Sequence, residues 1–162
     1  PMENDKGCKT TCLVQSDCCV EEVGEVVRKL VRMFQLFERD QIKVYGFTTT
    51  QCYAMLEIRK CGCITMNELS IRMNLNSSTM TRILDNLVRD GYILRNKSEE
   101  DRRLVLVELT AKGKESADQL NETVNTYYRK VMRNIPEGRL EEVLESSDLL
   151  IRAFERANPN CC

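Results

Sequence analysis

The sequence predicts a mostly α-helical fold that carries one small β-hairpin, and three observations predict it. Apolar residues recur at helical spacing in several long stretches. Capping-box patterns at 48–51 and 65–68 mark the starts of two helices. Two short apolar runs, at 92–95 and 104–109, flank a charged loop as the strands of a hairpin would. The 162 residues, 42% of them hydrophobic and 30% charged, suffice for one domain with or without a dimerisation layer.

Long helices are predicted towards both ends of the chain. The first runs from Cys19 to about Lys43, another from about Ala111 to Asn134, and the last from Pro136 to about Ala157. The predicted buried stripe of the first helix comprises Val20, Val23, Val27, Leu30, Val31, Phe34 and Phe37. The centre of the chain is too small to cover three such helices. We therefore expect helices of two subunits to pack in a two-fold homodimer, the alternative being that they bury one another within a monomer.

Residues 65–91 predict two helices joined by a short turn. A capping box starts a short helix over 66–73, and Asn74-Leu75-Asn76 breaks it because Asn tolerates turn geometry. Ser77 and Ser78 offer caps for the second helix, and Gly91 ends it as the residue after the C-cap. The apolar residues of the second helix share one face. Its other face is polar and is available to a partner.

A β-hairpin with a charged tip follows the second helix. Residues 92–95 and 104–109 predict its strands, and the loop between them holds three acidic residues followed by two arginines. Helix, turn, helix and hairpin in this order predict a winged helix-turn-helix core with long terminal dimerisation helices. The second helix of such a unit fits the major groove of double-stranded DNA. An arginine at the hairpin tip can enter the adjacent minor groove, where the potential is most negative.

Three motifs of this region resemble those of one regulator family. The run DRRLVLVELTAKG, from Asp101 to Gly113, is similar to the wing signature of the multiple antibiotic resistance regulator (MarR) family. MNELS, from Met66 to Ser70, and STMTR, from Ser78 to Arg82, are similar to that family's two DNA-binding helices. The resemblance is strongest over residues 47–113. It implies a dimeric, ligand-responsive repressor or activator of transcription.

The resemblance also implies which side chains contact DNA. Ser78, Thr79, Thr81 and Arg82 match the family's major-groove face, and Asp101 and Arg103 match its wing aspartate and arginine. Serine, threonine and arginine are residue types that contact base edges and phosphates. The full set of candidate DNA-binding residues is Ser77, Ser78, Thr79, Thr81, Arg82, Asn86, Lys97, Asp101, Arg102 and Arg103. The alternative is that the winged helix serves protein contacts only.

The charge balance bounds the kind of DNA binding to expect. The whole chain has a net charge of −1. Residues 65–112 carry eight Lys/Arg and seven Asp/Glu, a net charge of +1. Phosphate contacts govern non-specific affinity. We therefore expect modest non-specific binding and reliance on specific contacts, at a pseudo-palindromic operator read by the two subunits.

Nine cysteines stand in a chain that has no histidine. Eight of them form close pairs: Cys8/Cys12, Cys18/Cys19, Cys61/Cys63 and Cys161/Cys162. Thiolates without imidazoles suit soft ions, so a soft metal or arsenite bound by these pairs is one expected effector. An oxidant that reacts with the thiols is a second. The third interpretation has incidental cysteines and an aromatic effector in a pocket lined by Tyr53, Tyr127 and Tyr128.

Other classes of protein find little support in the sequence. Cys52 stands alone on an apolar helix face, where it reads as a small buried hydrophobe. We expect no enzyme and no required cofactor, because the chain has no histidine, no phosphate-binding glycine loop and no recognisable carboxylate pair. No apolar run reaches the length of a membrane span and no charged-then-apolar leader is seen, so we expect a reducing cytoplasm in which the cysteines are free thiols or ligands. The competing interpretation is a thiol-rich metal-binding or buffering protein whose winged helix is only an assembly module.

The predicted organisation therefore has five parts. Residues 1–17 form a flexible cysteine-containing arm and residues 18–46 a dimerisation helix. Residues 47–113 form the winged helix-turn-helix DNA-binding domain. Residues 114–158 form further dimerisation helices, and residues 159–162 a cysteine tail.

Overall fold

The computed structural model of the chain describes residues 17–158. The predicted arm before residue 17 and the predicted tail at 159–162 lie outside the described residues, and with them Cys8, Cys12, Cys161 and Cys162. The side chain of Cys18 also lies outside the described part. The chain divides after Phe37 into two units.

The first unit contains helix α1, Asp17–Phe37. The sequence placed the start of this helix within two residues of the observed one. Of its predicted buried stripe, Phe37 is buried and Val27 is half-buried, whereas Val20 is 66% exposed and Phe34 is 61% exposed in the single chain. Val23, Leu30 and Val31 are exposed as well. An apolar helix face of this width is stable in water only when another surface covers it.

The second unit opens with two short helical turns, a π-turn at Glu38–Ile42 and a 3-10 turn at Lys43–Tyr45. Gly46 ends them with a φ of +83°, as the predicted interruption at 46–47 requires. Helix α2, Thr49–Cys61, then starts from the predicted capping box. The Thr48 side chain accepts from the Gln51 amide at 3.2 Å, and the Gln51 side chain accepts from the Thr48 amide at 3.0 Å.

Four further elements build the centre of the second unit: strand β1 (Cys63–Thr65), helix α3 (Met66–Arg72), helix α4 (Ser77–Arg89) and strand β2 (Ile93–Lys97). Strand β3 (Val105–Leu109) follows β2. The predicted hairpin of β2 and β3 is confirmed, and it belongs to a three-stranded antiparallel sheet of order β1-β3-β2. The sequence missed β1, because a three-residue strand shows no alternation of its own.

Helix α5, Ala111–Arg133, starts at the predicted cap, where the Thr110 hydroxyl accepts from the Gly113 amide at 2.9 Å. It packs on α2 and β3. The core of the second unit is apolar and includes Cys52, Met55, Ile58, Leu69, Met80, Leu84, Leu87, Ile93, Val107 and Leu120. The burial predicted for Cys52 is therefore confirmed.

Helix α6, Leu140–Ala157, begins four residues later than predicted. Pro136 opens a turn instead of the helix, since the Arg139 amide donates to the Pro136 carbonyl at 3.0 Å and Gly138 has a φ of +75°. No residue of α6 is buried. Among residues 17–158, none of the helices combines the length and the apolar composition that a membrane span requires.

Candidate nucleic-acid interface

The polar face of α4 is set by a cap that the sequence placed one residue too late. Asn76 is the N-cap, and its side chain accepts from the Thr79 amide at 2.8 Å. Ser77 and Ser78, predicted as caps, lie instead in the first turn of the helix. Asn76 takes the role because its extended backbone (φ −70°, ψ 157°) precedes the helix, and its side chain can reach the N3 amide. Both serines are exposed, so both remain candidates for DNA contact.

The remaining candidates on α4 differ in how free their side chains are. Arg82 is exposed, whereas Thr79, Thr81 and Asn86 are half-buried. The Thr81 hydroxyl donates to the Ser77 carbonyl at 2.7 Å, which leaves its oxygen as an acceptor. The opposite face of α4 is buried, as its apolar periodicity predicts. The helix therefore packs its apolar face into the core and presents its polar face outward.

Helices α3 and α4 each end in a residue with a left-handed (αL) backbone conformation. Asn74 adopts a φ of +51°, and the Leu75 amide donates to the Ser70 carbonyl at 3.0 Å. At the end of α4, Gly91 has a φ of +78° and the Tyr92 amide donates to the Leu87 carbonyl at 2.9 Å. These are Schellman closures, with Asn and Gly in the residue after the C-cap. The roles predicted for the Asn turn and for Gly91 are confirmed.

The tip of the wing is held together by its own short side chains. The Ser98 hydroxyl accepts from the amides of Glu100 and Asp101 at 3.3 Å each. The Asp101 carboxylate accepts from the Arg103 amide at 3.0 Å. The Arg103 side chain is 93% exposed, and its Nε lies 3.8 Å from the Asp101 carboxylate. Asp101 thus shapes the loop, and the guanidinium of Arg103 projects into solvent.

The structure brings one helix candidate, Ser77, and one wing candidate, Arg103, to the same place. A depression of about 240 Å³ opens between the start of α3, the first turn of α4 and the wing. Ser77 from α4 and Arg103 from the wing both line it, beside Asn67 of α3. Lys97 and Arg102 are exposed, at the end of β2 and at the wing tip. Surfaces this close can contact one DNA duplex at adjacent grooves.

Sequence reasoning missed one side chain of this region, Arg95 on β2. Its Nη2 donates to the carboxylate of Asp85 on α4, and lies 3.4 Å from the Thr81 carbonyl. Its side chain is only 23% exposed. The signal was present in the sequence, because Arg95 stands two residues after buried Ile93 and so shares the inward face of the strand.

The thiols within the described residues fall into different environments. Cys52 is fully buried, and burial raises the pKa of its thiol to about 11. Cys61 is half-exposed and Cys63 is exposed. Cys19, in the first unit, is also half-exposed. Across the described part of the chain, no group of three or more Cys, Asp or Glu side chains is arranged to hold a metal ion.

The three tyrosines of the predicted aromatic pocket are linked by one hydrogen bond and one contact between rings. The hydroxyl oxygens of Tyr53 on α2 and Tyr128 on α5 lie 3.0 Å apart, a hydrogen bond that ties the two helices. Burial, together with this bond, raises the pKa of Tyr53. The rings of Tyr127 and Tyr128 lie edge to face with centroids 6.3 Å apart.

Comparisons with known proteins agree on one family. The family model described as MarR matches residues 47–105. The HTH-type transcriptional regulator PapX of Escherichia coli is 33% identical over 82 residues, which cover 51% of this chain and 50% of PapX. YkoM of Bacillus subtilis, an uncharacterised HTH-type transcriptional regulator, is 30% identical over 105 residues, which cover 62% of this chain and 68% of YkoM. A mutant MarR from E. coli, solved in complex with operator DNA, is 26% identical with a TM-score of 0.65, covering 82% of this chain and 95% of that one.

Proposed function

Because the chain belongs to the MarR family of DNA-binding transcription regulators, we propose that it is a dimeric repressor that binds a pseudo-palindromic operator and responds to an effector. The family is one of transcription regulators, not of enzymes. The cytoplasm is the compartment in which such a protein would meet DNA.

The observation that carries the proposal is the shared depression at which α4 and the wing meet. Ser77 of α4 and Arg103 of the wing both line it, so one duplex can contact both elements at once. In the proposed complex, Arg82 and Asn86 read base edges in the major groove, because their side chains can make bidentate contacts there. Arg103 enters the minor groove.

The other candidate residues are proposed to support these contacts. Ser77, Ser78 and Thr79 lie in the first turn of α4, where hydroxyls and amides suit phosphate oxygens. Lys97 and Arg102 contribute phosphate contacts, which govern affinity without reading sequence. Thr81 offers an acceptor at the rim of the helix, and Asp101 holds the wing tip in shape.

The proposed dimer rests on the apolar surface that each terminal helix exposes. On α6, Ile151 is 56% exposed and Phe154 is 44% exposed, and they share one face with Val143. Helix α1 exposes its own stripe within the first unit. We propose that residues 18–46 and 114–158 supply the interface. A two-fold axis would then present two α4 helices to successive major grooves, roughly 34 Å apart.

The effector is proposed to act through the thiols, as a soft metal or metalloid that they bind or an oxidant that they reduce. Such an effector changes DNA binding only as far as it binds the free and DNA-bound conformations differently. Thiol ligands favour soft ions over magnesium or calcium. If DNA binding responds to an effector without the thiols, the effector is instead a small molecule in an aromatic pocket.

Selection of operator sequences from random duplex DNA by the full-length, reduced chain tests the proposal. We expect an enriched two-fold symmetric sequence, protected from cleavage over two half-sites one helical turn apart. Sedimentation of the complex should give two chains per duplex. Binding without sequence preference, or one chain per site, would contradict the proposed regulator.

A further inference from the structure

Cys61 and Cys63 stand on the two sides of one very tight turn. Cys61 is the last residue of α2, Cys63 is the first residue of β1, and only Gly62 lies between them. Gly62 has φ +77° and ψ −58°, the values of the γ-turn with a positive central φ, which is rare and strained. Glycine is needed there because L side chains rarely adopt this φ.

This turn places the two cysteines within reach of a common bridging atom. Two Cα atoms separated by one residue are at most about 7 Å apart even in an extended chain. A γ-turn folds the chain back and shortens that distance. Two cysteine side chains can be joined when their Cα atoms lie about 4.4–6.8 Å apart. The pair therefore needs no refolding of α2 or the sheet to hold one atom between its sulfurs.

Both thiols are also accessible and unengaged. Cys63 is exposed, Cys61 is half-exposed, and neither forms a disulfide. Neither thiol makes a hydrogen bond or an ion pair with any residue between 17 and 158. Cys52, on the same helix as Cys61, offers the contrast, since it is fully buried.

The chemistry of the site follows from its having two sulfurs and no further ligand among the described residues. A tetrahedral zinc site or a three-thiolate site needs more donors. Trivalent arsenic that carries one organic group needs two, because that group already occupies one of its three bonding directions. We infer that Cys61 and Cys63 form a two-thiol binding site for a monosubstituted trivalent arsenical.

The binding step balances without an oxidant or a reductant. Two arsenic–sulfur bonds form as the arsenic–oxygen double bond of the arsenical oxide breaks. The oxygen leaves as water and takes the protons of both thiols. Arsenic stays trivalent and both sulfurs keep their oxidation state, so the step is a condensation that a competing dithiol reverses.

A consequence for DNA binding rests on the proposed function. Thr65, two residues after Cys63, caps α3: its hydroxyl accepts from the Glu68 amide at 3.1 Å, and its own amide donates to the Glu68 carboxylate at 3.1 Å. Arsenic–sulfur bonds at Cys63 act on the strand that positions Thr65, so any displacement they impose on β1 strains these two capping bonds. Loading the thiol pair is therefore expected to lower operator affinity.

Thiol protection by phenylarsine oxide tests the site on the full-length, reduced chain. The protein is treated with phenylarsine oxide, then with N-ethylmaleimide, and is digested with trypsin. Cleavage after Lys60 and Arg72 releases residues 61–72, which contain Cys61 and Cys63 and no other cysteine. We expect both to be protected together. Protection should be reversed by 2,3-dimercaptopropanol and not by an equimolar monothiol.

Single substitutions separate a two-thiol site from ordinary thiol reactivity. In Cys61→Ser, Cys63 should lose its protection, and in Cys63→Ser the same should hold for Cys61. Circular dichroism and operator affinity without arsenical confirm that each variant is folded. Full alkylation of both cysteines in the treated wild type, or equal protection of Cys63 in Cys61→Ser, would overturn the two-thiol site.

The DNA readout has a separate outcome. Phenylarsine oxide should weaken operator binding by the wild type and leave Cys61→Ser unaffected. Unchanged operator affinity of a chain whose peptide 61–72 is protected would overturn the link to α3 and leave the binding site standing. Absence of operator binding before treatment would instead contradict the proposed function.

Discussion

The guanidinium of Arg95 on β2 donates a hydrogen bond to the carboxylate of Asp85 on α4. A second contact, 3.4 Å long, reaches the carbonyl of Thr81. One side chain thus connects the wing to the helix that is proposed to lie in the major groove. Because most of this guanidinium is withdrawn from water, its contacts are screened less than those of a surface pair.

Replacing Arg95 with methionine should loosen the wing from α4. Methionine keeps an apolar stem but cannot donate to Asp85 or to the Thr81 carbonyl. We expect the free energy of unfolding to fall by about 1–2 kcal/mol, the scale of a hydrogen bond to a charged group. Urea unfolding measures this change, and a titration with operator should show weaker binding.

Arg89→Met is the matched control for that experiment. Arg89 is exposed, and among residues 17–158 its one ion-pair partner is its neighbour Asp90. Its replacement should change the free energy of unfolding by less than about 0.5 kcal/mol. Equal effects of the two substitutions on the free energy of unfolding would show that Arg95 does not hold the wing against α4.

Gly113→Ala should destabilise the fold because of one close approach. A Cβ on Gly113 would lie 1.9 Å from the backbone oxygen of Tyr92. Because this is a backbone atom, the chain at the start of β2 would have to shift to make room. We expect a loss of about 2–3 kcal/mol or more in the free energy of unfolding, as for severe overpacking. Thermal and urea unfolding measure it.

Gly24→Ala, also a change from glycine to alanine, should raise the free energy of unfolding instead of lowering it. Its Cβ would meet only the flexible end of Arg28, at 3.2 Å. Alanine within a helix gains about 0.5–1 kcal/mol over glycine, so this variant should be slightly more stable. A Gly113→Ala protein as stable as Gly24→Ala would show that the approach to Tyr92 is not restrictive.

The features predicted correctly from the sequence are those that short segments specify alone. The capping boxes at Thr48 and Thr65 need only their own first turn to form. Gly91 ends α4 because only a local backbone conformation is required of it. The hairpin strands carry enough apolar residues to be recognised together with their turn.

The features that were missed depend on distant partners or on competition between neighbours. Strand β1 exists because β3 pairs with it, at Ile64 and Val107 among others. Asn76 displaces the two serines as the cap through its backbone conformation, which its sequence does not reveal. Pro136 begins a turn because Gly138 follows it, although proline also suits a first helical turn.

Arg103→Ala should weaken operator binding without altering the fold. Its side chain is almost fully exposed and contributes nothing to the core. We expect a loss of about 1–3 kcal/mol in binding free energy, and a salt dependence of affinity that is shallower by about one unit. Titrations at several salt concentrations measure both.

Arg152→Ala removes the same charge from α6, where Arg152 pairs with Asp148 on the helix surface. Because this is a surface substitution away from the proposed DNA contacts, it should leave operator affinity within about 0.5 kcal/mol of the wild type. Unchanged affinity of Arg103→Ala at fixed salt would remove the wing from the DNA contact.

Burial of Cys52 predicts a pH dependence of stability. Its pKa is raised from 9.0 to about 11 in the folded chain, so above pH 9 the unfolded chain loses this proton first. The stabilisation is complete below pH 9 and falls as pH rises towards 11, by up to about 1.4 kcal/mol per pH unit. The stability difference between wild type and Cys52→Ala, measured by urea unfolding from pH 8 to 10.5, should shrink accordingly. A difference that is constant across this range would contradict the raised pKa.

The apolar face of α6 gives the last prediction, which concerns assembly. Ile151→Glu puts a charge into the face that it shares with Val143 and Phe154. Burying an isoleucine side chain contributes about 1.5–3 kcal/mol, so the dissociation constant of the dimer should rise at least about tenfold. Sedimentation velocity across a range of concentrations measures it.

Leu149→Glu is the matched control, since Leu149 is 70% exposed and lies roughly 160° around the helix from Ile151. If Leu149→Glu dissociates the dimer and Ile151→Glu does not, the interface lies on the other face of α6; if the wild type is monomeric throughout, the two-fold arrangement proposed for operator binding is wrong.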